Sequence, residues 1–355
     1  MNTLDFTYQA RPGRIVFGAG SLRHLERELI NLNAERALVI CSAEQRATGA
    51  DIAGRLGARA AGLFDRAMMH VPLELVREAR SVATASKADC VIVVGGGSAM
   101  GLGKAIALES TMPILAVPTT YAGSEMTPIF GITEAGLKRT GTDLRVLPKC
   151  VIYDPLLTTT LPVGLSVTSG INAIAHAAEG LYAQDANPVT SLMAEEGIAS
   201  LARAIPKLVS TPDDIEFRSL ALYGAWLCGS VLGSVGMSLH HKLCHTLGGS
   251  FDLPHAQTHT IVLPHALAYN RVAAPEAMKR IARAVDASDA ALGVYELARQ
   301  TGAPMSLKEI GMRAQDVDRA AEITCASPYW NPRPIETSAI RALIWNAFEG
   351  APPCA

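Results

Sequence analysis

At 355 residues the chain is longer than one hydrophobic core usually organises, so two lobes are expected. Charged residues make up 18% and apolar ones 49%, with a formal net charge of -2, a balance that excludes a nucleic-acid footprint and a disordered acidic tail. Seven cysteines without a CxxC pair, and no basic, apolar leader, point to reduced thiols in a cytoplasm; each long apolar run is broken before the roughly 20 residues that span a bilayer.

In chain order, "TYQARPGRIVFGAGS" (7–21) carries Pro12 and Gly13 between two strand-like pieces and reads as a hairpin beside the main sheet or against a second subunit. β-branched runs at 37–41, 90–94, 113–118 and 150–155 then alternate with helical stretches. That alternation predicts parallel strands with crossover helices, a Rossmann-like α/β domain. Beyond Pro155 the texture turns Ala/Leu-rich, and an all-α domain is expected from about Leu161. The boundary is placed near residue 160, giving a cofactor-binding domain at 1–160 and a helical substrate domain at 161–355.

Three segments carry candidate chemistry. In "CVIVVGGGSAMGLGKA" (90–105), Gly95, Gly96 and Gly97 let the chain turn tightly after a buried strand, and Ser98 is placed to cap the next helix, whose amides face an anion. The stretch fits neither G-x-G-x-x-G, since the sixth position is Met100, nor a P-loop, since Ala105 follows Lys104; by itself it reads equally as a tight turn. The loop after the next strand, "VPTTYAGSEMTPIF" (117–130), offers the hydroxyls of Thr119, Thr120, Ser124 and Thr127, and the two loops together suggest a nucleotide crevice.

The third segment lies in the helical half. Thr168 or Ser169 is placed to cap a helix with Asn172 and His176 one turn apart on one face. The stretch 239–265 holds six of the nine histidines: His241 and His245 precede Gly248 and Gly249, which are expected to end their helix, and Pro254 starts another bearing His255 and His259. Lys242 stands where a zincin would carry its glutamate base, which excludes a metalloprotease and leaves metal binding or proton transfer.

Together these strings resemble the iron-containing alcohol dehydrogenase superfamily and, within it, the maleylacetate reductases. The glycine turn of that superfamily matches 95–98 with Lys104, its "PTT…GSE" loop 118–125, its D-x-x-x-H helix 172–176 and its histidine segment 241–255; "VLPKCVIYDP" and "NPRPI" carry the narrower likeness. The resemblance covers nearly the whole chain. It implies a dehydroquinate synthase-like fold, α/β followed by all-α, with the active site in the cleft between the domains, and a cytoplasmic homodimer. The implied reaction is NADH- or NADPH-dependent reduction of the carbon–carbon double bond of a small dicarboxylate, maleylacetate, to 3-oxoadipate in aromatic compound degradation. The rival reading is a metal-dependent alcohol or aldehyde reductase.

Where metal-dependent relatives hold a divalent ion with one Asp and three His, the matching positions are Asn172, His176, His245 and His255, so the anionic ligand is gone and no metal is expected. Gly101 replaces a second Asp of those relatives. The cofactor is assigned to Gly96, Gly97, Ser98, Thr119, Thr120 and Ser124; to Ser42, which ends a strand where a carboxylate would select against a 2′-phosphate; and to Lys138 and Leu165, which match cofactor contacts of relatives. His176, His245 and His255 are assigned to the ketone oxygen and the proton, with Asn172 orienting and His241 behind them. Lys242, His259 and Arg333 are candidate partners for the substrate carboxylates.

Overall fold

The computed structural model describes residues 6–10, 13–134 and 137–354. It divides into two compact units, Arg11–Leu161, and Pro162–Ala355 with residues 6–10. In the first, strands β1 (Arg14–Phe17), β2 (Ala37–Ile40), β3 (Ala60–Phe64), β4 (Cys90–Gly95), β5 (Ile114–Pro118) and β8 (Cys150–Tyr153) form a six-stranded sheet in the order β1-β8-β5-β4-β2-β3. All its pairings are parallel. The four central strands are buried along their whole length, which is why they are continuous apolar runs rather than alternating ones. Helices α1 (Leu25–Asn31), α2 (Arg46–Leu56), α3 (Leu73–Ala85) and α4 (Gly97–Leu108) accompany the sheet, and β6 (Ile129–Glu134) pairs antiparallel with β7 (Leu137–Thr142) in a separate ribbon.

The hairpin expected at 7–21 is corrected by this topology. Arg14–Phe17 is the outer parallel strand of the main sheet, in register with Cys150–Tyr153, and Pro12 lies outside the described residues. The chain is held forward rather than folded back because the Asp154 carboxylate accepts from Gly20 N at 2.9 Å and Leu22 N at 3.0 Å. Glu28 on α1, its side chain buried, accepts from Arg14 Nε at 2.6 Å.

The second unit is all helical: α5 (Val163–Leu181), α6 (Pro188–Ser210), α7 (Ile215–Leu232), α8 (Leu239–Phe251), α9 (His255–Asn270), and α10 to α13 (Pro275–Ala284, Ala290–Gln300, Asp316–Cys325, Thr337–Glu349). Helix α5 is buried from Ser166 to Leu181 and packs against α6, α7 and α9, which makes it the core element. Among the described residues no helix is long and apolar enough to cross a membrane.

Helix α4 lies so close to β4 that a Cβ on Gly103 would sit 2.3 Å from Val93 Cγ2, a stiff β-branched neighbour. Gly103→Ala is expected to lower unfolding stability by about 1–3 kcal/mol through overpacking, read as a shift in urea midpoint at unchanged slope.

Candidate active site

Gly95 (φ 134) and Gly96 carry β4 into α4, and Gly96 is the N-cap. Ser98, expected as the cap, is instead the second helical residue, and no side chain among the described residues caps α4. A Cβ on Gly97 would meet nothing within 4 Å, so first-turn amides are approachable there. A Cβ on Gly96 would lie 2.8 Å from Thr120 Oγ1, and Thr119 N donates to Gly95 O at 3.3 Å, so the two expected loops abut. Thr119 Oγ1 is buried with no hydrogen-bond partner among the described residues.

Lys104 fastens this arrangement. Its wholly buried ammonium donates to Ser124 O (2.7 Å), Thr127 Oγ1 (2.9 Å) and Ile129 O (2.9 Å), matching its three protons, while burial pushes its pKa down to about 7. Ser42 follows β2 as the N-cap of a short 3-10 turn, and its hydroxyl helps hold the Glu44 carboxyl below its usual range. Leu165 is exposed in the first turn of α5. Lys138 falls in β7, and its side chain lies outside the described residues.

In the helical unit, α5 begins well before the expected caps, so Thr168 and Ser169 are interior residues whose hydroxyls turn back onto Gly164 O and Leu165 O. Asn172, His176 and Glu179 stand at i, i+4 and i+7 on one face of this helix. His176 Nδ1 meets His241 Nε2 at 2.8 Å, and His241 Nδ1 meets Glu179 Oε2 at 2.6 Å. Glu179, fully buried, also accepts from Ser238 N (3.1 Å), Ser238 Oγ (2.7 Å), His240 N (2.8 Å) and His241 N (3.3 Å) at the start of α8. The His241 ring and these donors hold its carboxyl down to about 2 against the opposing effect of burial. Glu179 is absent from the sequence-based assignment; the i+7 spacing behind Asn172 and His176 is the signal that points to it.

Behind this line, His240 Nε2 and His259 Nδ1 pair at 2.9 Å with Cys244 Sγ 3.7 Å from His240. These three donor atoms lie within 4.8 Å of one another, but burial drives His240 down to about 3, lowers His259 well below its ordinary value and raises the Cys244 thiol. They form a dry, neutral hydrogen-bonded cluster. His259 therefore has no cation or surface to offer a carboxylate, which corrects its assignment as a substrate partner.

His245 and His255 are exposed, with ring centroids 6.1 Å from His241 and 4.3 Å from His259 respectively. Asn172 is buried, and its Oδ1 has no partner among the described residues. Gly248 and Gly249 do not end α8; it runs to Phe251 and stops at Asp252 in the left-handed conformation (φ 55). Lys242 Nζ lies 5.7 Å from the Tyr329 ring. Arg333 stacks on Tyr269 at 4.2 Å and donates to its carbonyl at 3.1 Å, so it holds the 331–335 segment onto α9.

Two family models match the chain, "iron-containing alcohol dehydrogenase" over residues 12–155 and "Fe-containing alcohol dehydrogenase family, C-terminal" over 166–348. The chain belongs to the iron-containing alcohol dehydrogenase family. Within that family it is 58% identical over 348 residues to a maleylacetate reductase of Burkholderia cepacia, covering 98% of this chain and 99% of the relative. The crystal structure of a maleylacetate reductase from Agrobacterium tumefaciens superposes with a TM-score of 0.96 at 52% identity, covering 99% of this chain and all of that one. A 1,3-propanediol oxidoreductase structure is more distant, with a TM-score of 0.90 at 27% identity over 97% of this chain and all of that one.

Because the folded pKa of Glu179, about 2, lies below its ordinary value of 4.5, the ionised carboxylate contributes stability that is complete above that ordinary value and is lost as pH falls toward 2. Glu179→Gln is expected to flatten this acid limb, a difference of roughly 3 kcal/mol, in urea titrations across that pH range.

Proposed function

We propose that this chain reduces the carbon–carbon double bond of maleylacetate with NADH or NADPH, giving 3-oxoadipate. The observation that carries the reading is 58% identity to a maleylacetate reductase over 98% of the chain, joined to a histidine centre containing Asn172, which the resemblance matches to an acid of metal-dependent relatives.

We further infer that the centre works without a divalent metal. What supports this is the donor set. Asn172 contributes a neutral carboxamide, His176 Nδ1 and His241 Nε2 are committed to each other, and the Glu179 carboxylate is committed to the start of α8 and His241. The acid that the resemblance places at position 172 is replaced by a neutral amide, which weakens the fit to the family's metal, and no step is assigned to one.

The glycine turn with Thr119, Thr120 and Ser124 is assigned to the pyrophosphate side of the cofactor; the open face at Gly97 and the buried, unpartnered Thr119 Oγ1 support it. Ser42, Lys138 and Leu165 remain proposed contacts. When bound, NADH or NADPH supplies a hydride, which adds at the alkene carbon β to the ketone. Negative charge then develops on the ketone oxygen. His245 and His255 are assigned as its hydrogen-bond donors, each worth on the order of 3 kcal/mol of transition-state stabilisation, with Asn172 as an orienting amide. The carbon α to the ketone receives a proton from the histidine centre. Lys242 is the remaining cationic candidate for a substrate carboxylate, since Arg333 is engaged with Tyr269.

The same reading includes a homodimer in a reducing cytoplasm. The outer position of β1 in its sheet supports the first, and seven free cysteines, five of them buried, support the second. A monomer mass by light scattering would remove the dimer.

The test follows NADH oxidation with maleylacetate and with simple aldehydes. Maleylacetate is expected to be turned over far faster, and faster aldehyde reduction would overturn the reading. His255→Ala is expected to lower kcat by about 10²-fold or more with little change in NADH affinity measured by fluorescence titration.

A further inference from the structure

Ser42 stands where a dinucleotide site usually carries a carboxylate for the adenosine ribose, and the sheet shows what surrounds it. Ile40 of β2 is level with Val93 of β4, so Ser42 leaves the sheet beside Gly95, where the glycine turn begins. On the other side, Cys41 N donates to Phe64 O at 3.0 Å and Ala67 N donates to Cys41 O at 3.1 Å, which brings Asp65 and Arg66, just past β3, alongside the Ser42 turn. Gln45 N donates to Ser42 O at 3.0 Å and closes a single 3-10 turn that carries Glu44. Arg46 follows as the first residue of α2.

We propose that Glu44 supplies, through Ser42, the acid missing at position 42, that Asp65 occupies the neighbouring Arg46, and that the site therefore selects NADH over NADPH. The proposal rests on the NAD(P)H-dependent reading above and names which of the two cofactors the site takes.

The discrimination follows from where the Ser42 proton goes. The Ser42 hydroxyl donates to the Glu44 carboxylate and helps hold that carboxyl below its usual range. A hydroxyl has one proton, and once that proton is committed it presents only lone pairs. The 2′-hydroxyl of NADH can donate to them. A 2′-phosphate carries close to two negative charges at neutral pH and offers acceptor oxygens, so it meets lone pairs backed by a carboxylate. Ser42 with an uncommitted proton would accommodate either group.

A free guanidinium would offset this repulsion, and two arginines stand at the ends of these strands. Both are engaged. Arg46 Nη1 donates to Asp65 Oδ2 at 2.6 Å, while Arg66 pairs with Glu78 and lies over the Phe64 ring at 4.8 Å. The Arg46 side chain is 72% exposed and that of Asp65 only 21%, so loss of the Asp65 charge leaves Arg46 in solvent and able to turn to a phosphate.

Fluorescence titration of the whole enzyme with NADH and with NADPH tests the proposal without maleylacetate, so its outcome is separate from the reaction assignment. The parent is expected to bind NADH about 10-fold tighter than NADPH at low ionic strength, with the gap narrowing as salt screens the carboxylates. Glu44→Gln, which puts an amide donor beside Ser42, is expected to bring the two affinities within about 3-fold of each other. Asp65→Asn is expected to tighten NADPH by about 10-fold and leave NADH unchanged, a gain that a merely structural role does not produce. Adding Arg46→Ala to Asp65→Asn should remove that gain. The ratio of kcat/KM values for the two cofactors should follow the affinity ratio in each variant. Equal affinity of the parent for both cofactors, an unchanged ratio in either single variant, or weakening of both cofactors alike would overturn the proposal.

Discussion

A carboxylate sealed from water needs its charge met by the protein, and in the helical unit that requirement at Glu179 organises everything around it. Its donors come from the first residues of α8, where the amides have no intrahelical acceptors, so satisfying Glu179 also sets the start of α8 against α5. The same contact orients His241, and His241 orients His176. The geometry of the site is thus a consequence of one buried charge finding enough donors.

Charge counting extends this to the identity of residue 172. Among the described residues of the centre, Glu179 is the buried carboxylate, and its charge is met by donors from the start of α8 and by the His241 ring. Position 172, where the resemblance places an acid in metal-dependent relatives, carries the neutral carboxamide of Asn172. The other unit follows a related rule with opposite sign, because the buried Lys104 ammonium is satisfied by three oxygens and in doing so ties α4 to the loop after β5. In each unit a buried ionisable side chain, Glu179 or Lys104, makes hydrogen bonds that double as structural ties.

Much of the fold is legible in the sequence because the central strands are buried on both faces and so appear as unbroken runs such as "CVIVV". The edge is not: β1 is short and partly exposed, and its partner lies at the far end of the unit, at Cys150–Tyr153, so a local turn signal at Gly13 reads as a hairpin. Strand β3, "AAGLF", has no β-branched residue, and β7, "LKRTGT", is interrupted by two charged residues and a glycine. Helix ends are misread at Ser98, Thr168, Ser169, Gly248 and Gly249 because each residue type favours a terminus locally, while packing carries α5 and α8 past it. At the candidate site, the density of histidines is visible by inspection. Glu179 is not, since a lone glutamate in "HAAEG" looks like a solvated residue until residues 238–241 fold over it.

The central proposal is that this site, with Asn172 in place of an acid, works without a divalent metal. Metal content measured against turnover in chelator-treated, full-length protein tests it most directly. The account predicts that protein stripped to far below one metal ion per chain keeps its kcat with maleylacetate and NADH. Loss of activity on stripping, with recovery on adding ferrous iron or zinc, would contradict it.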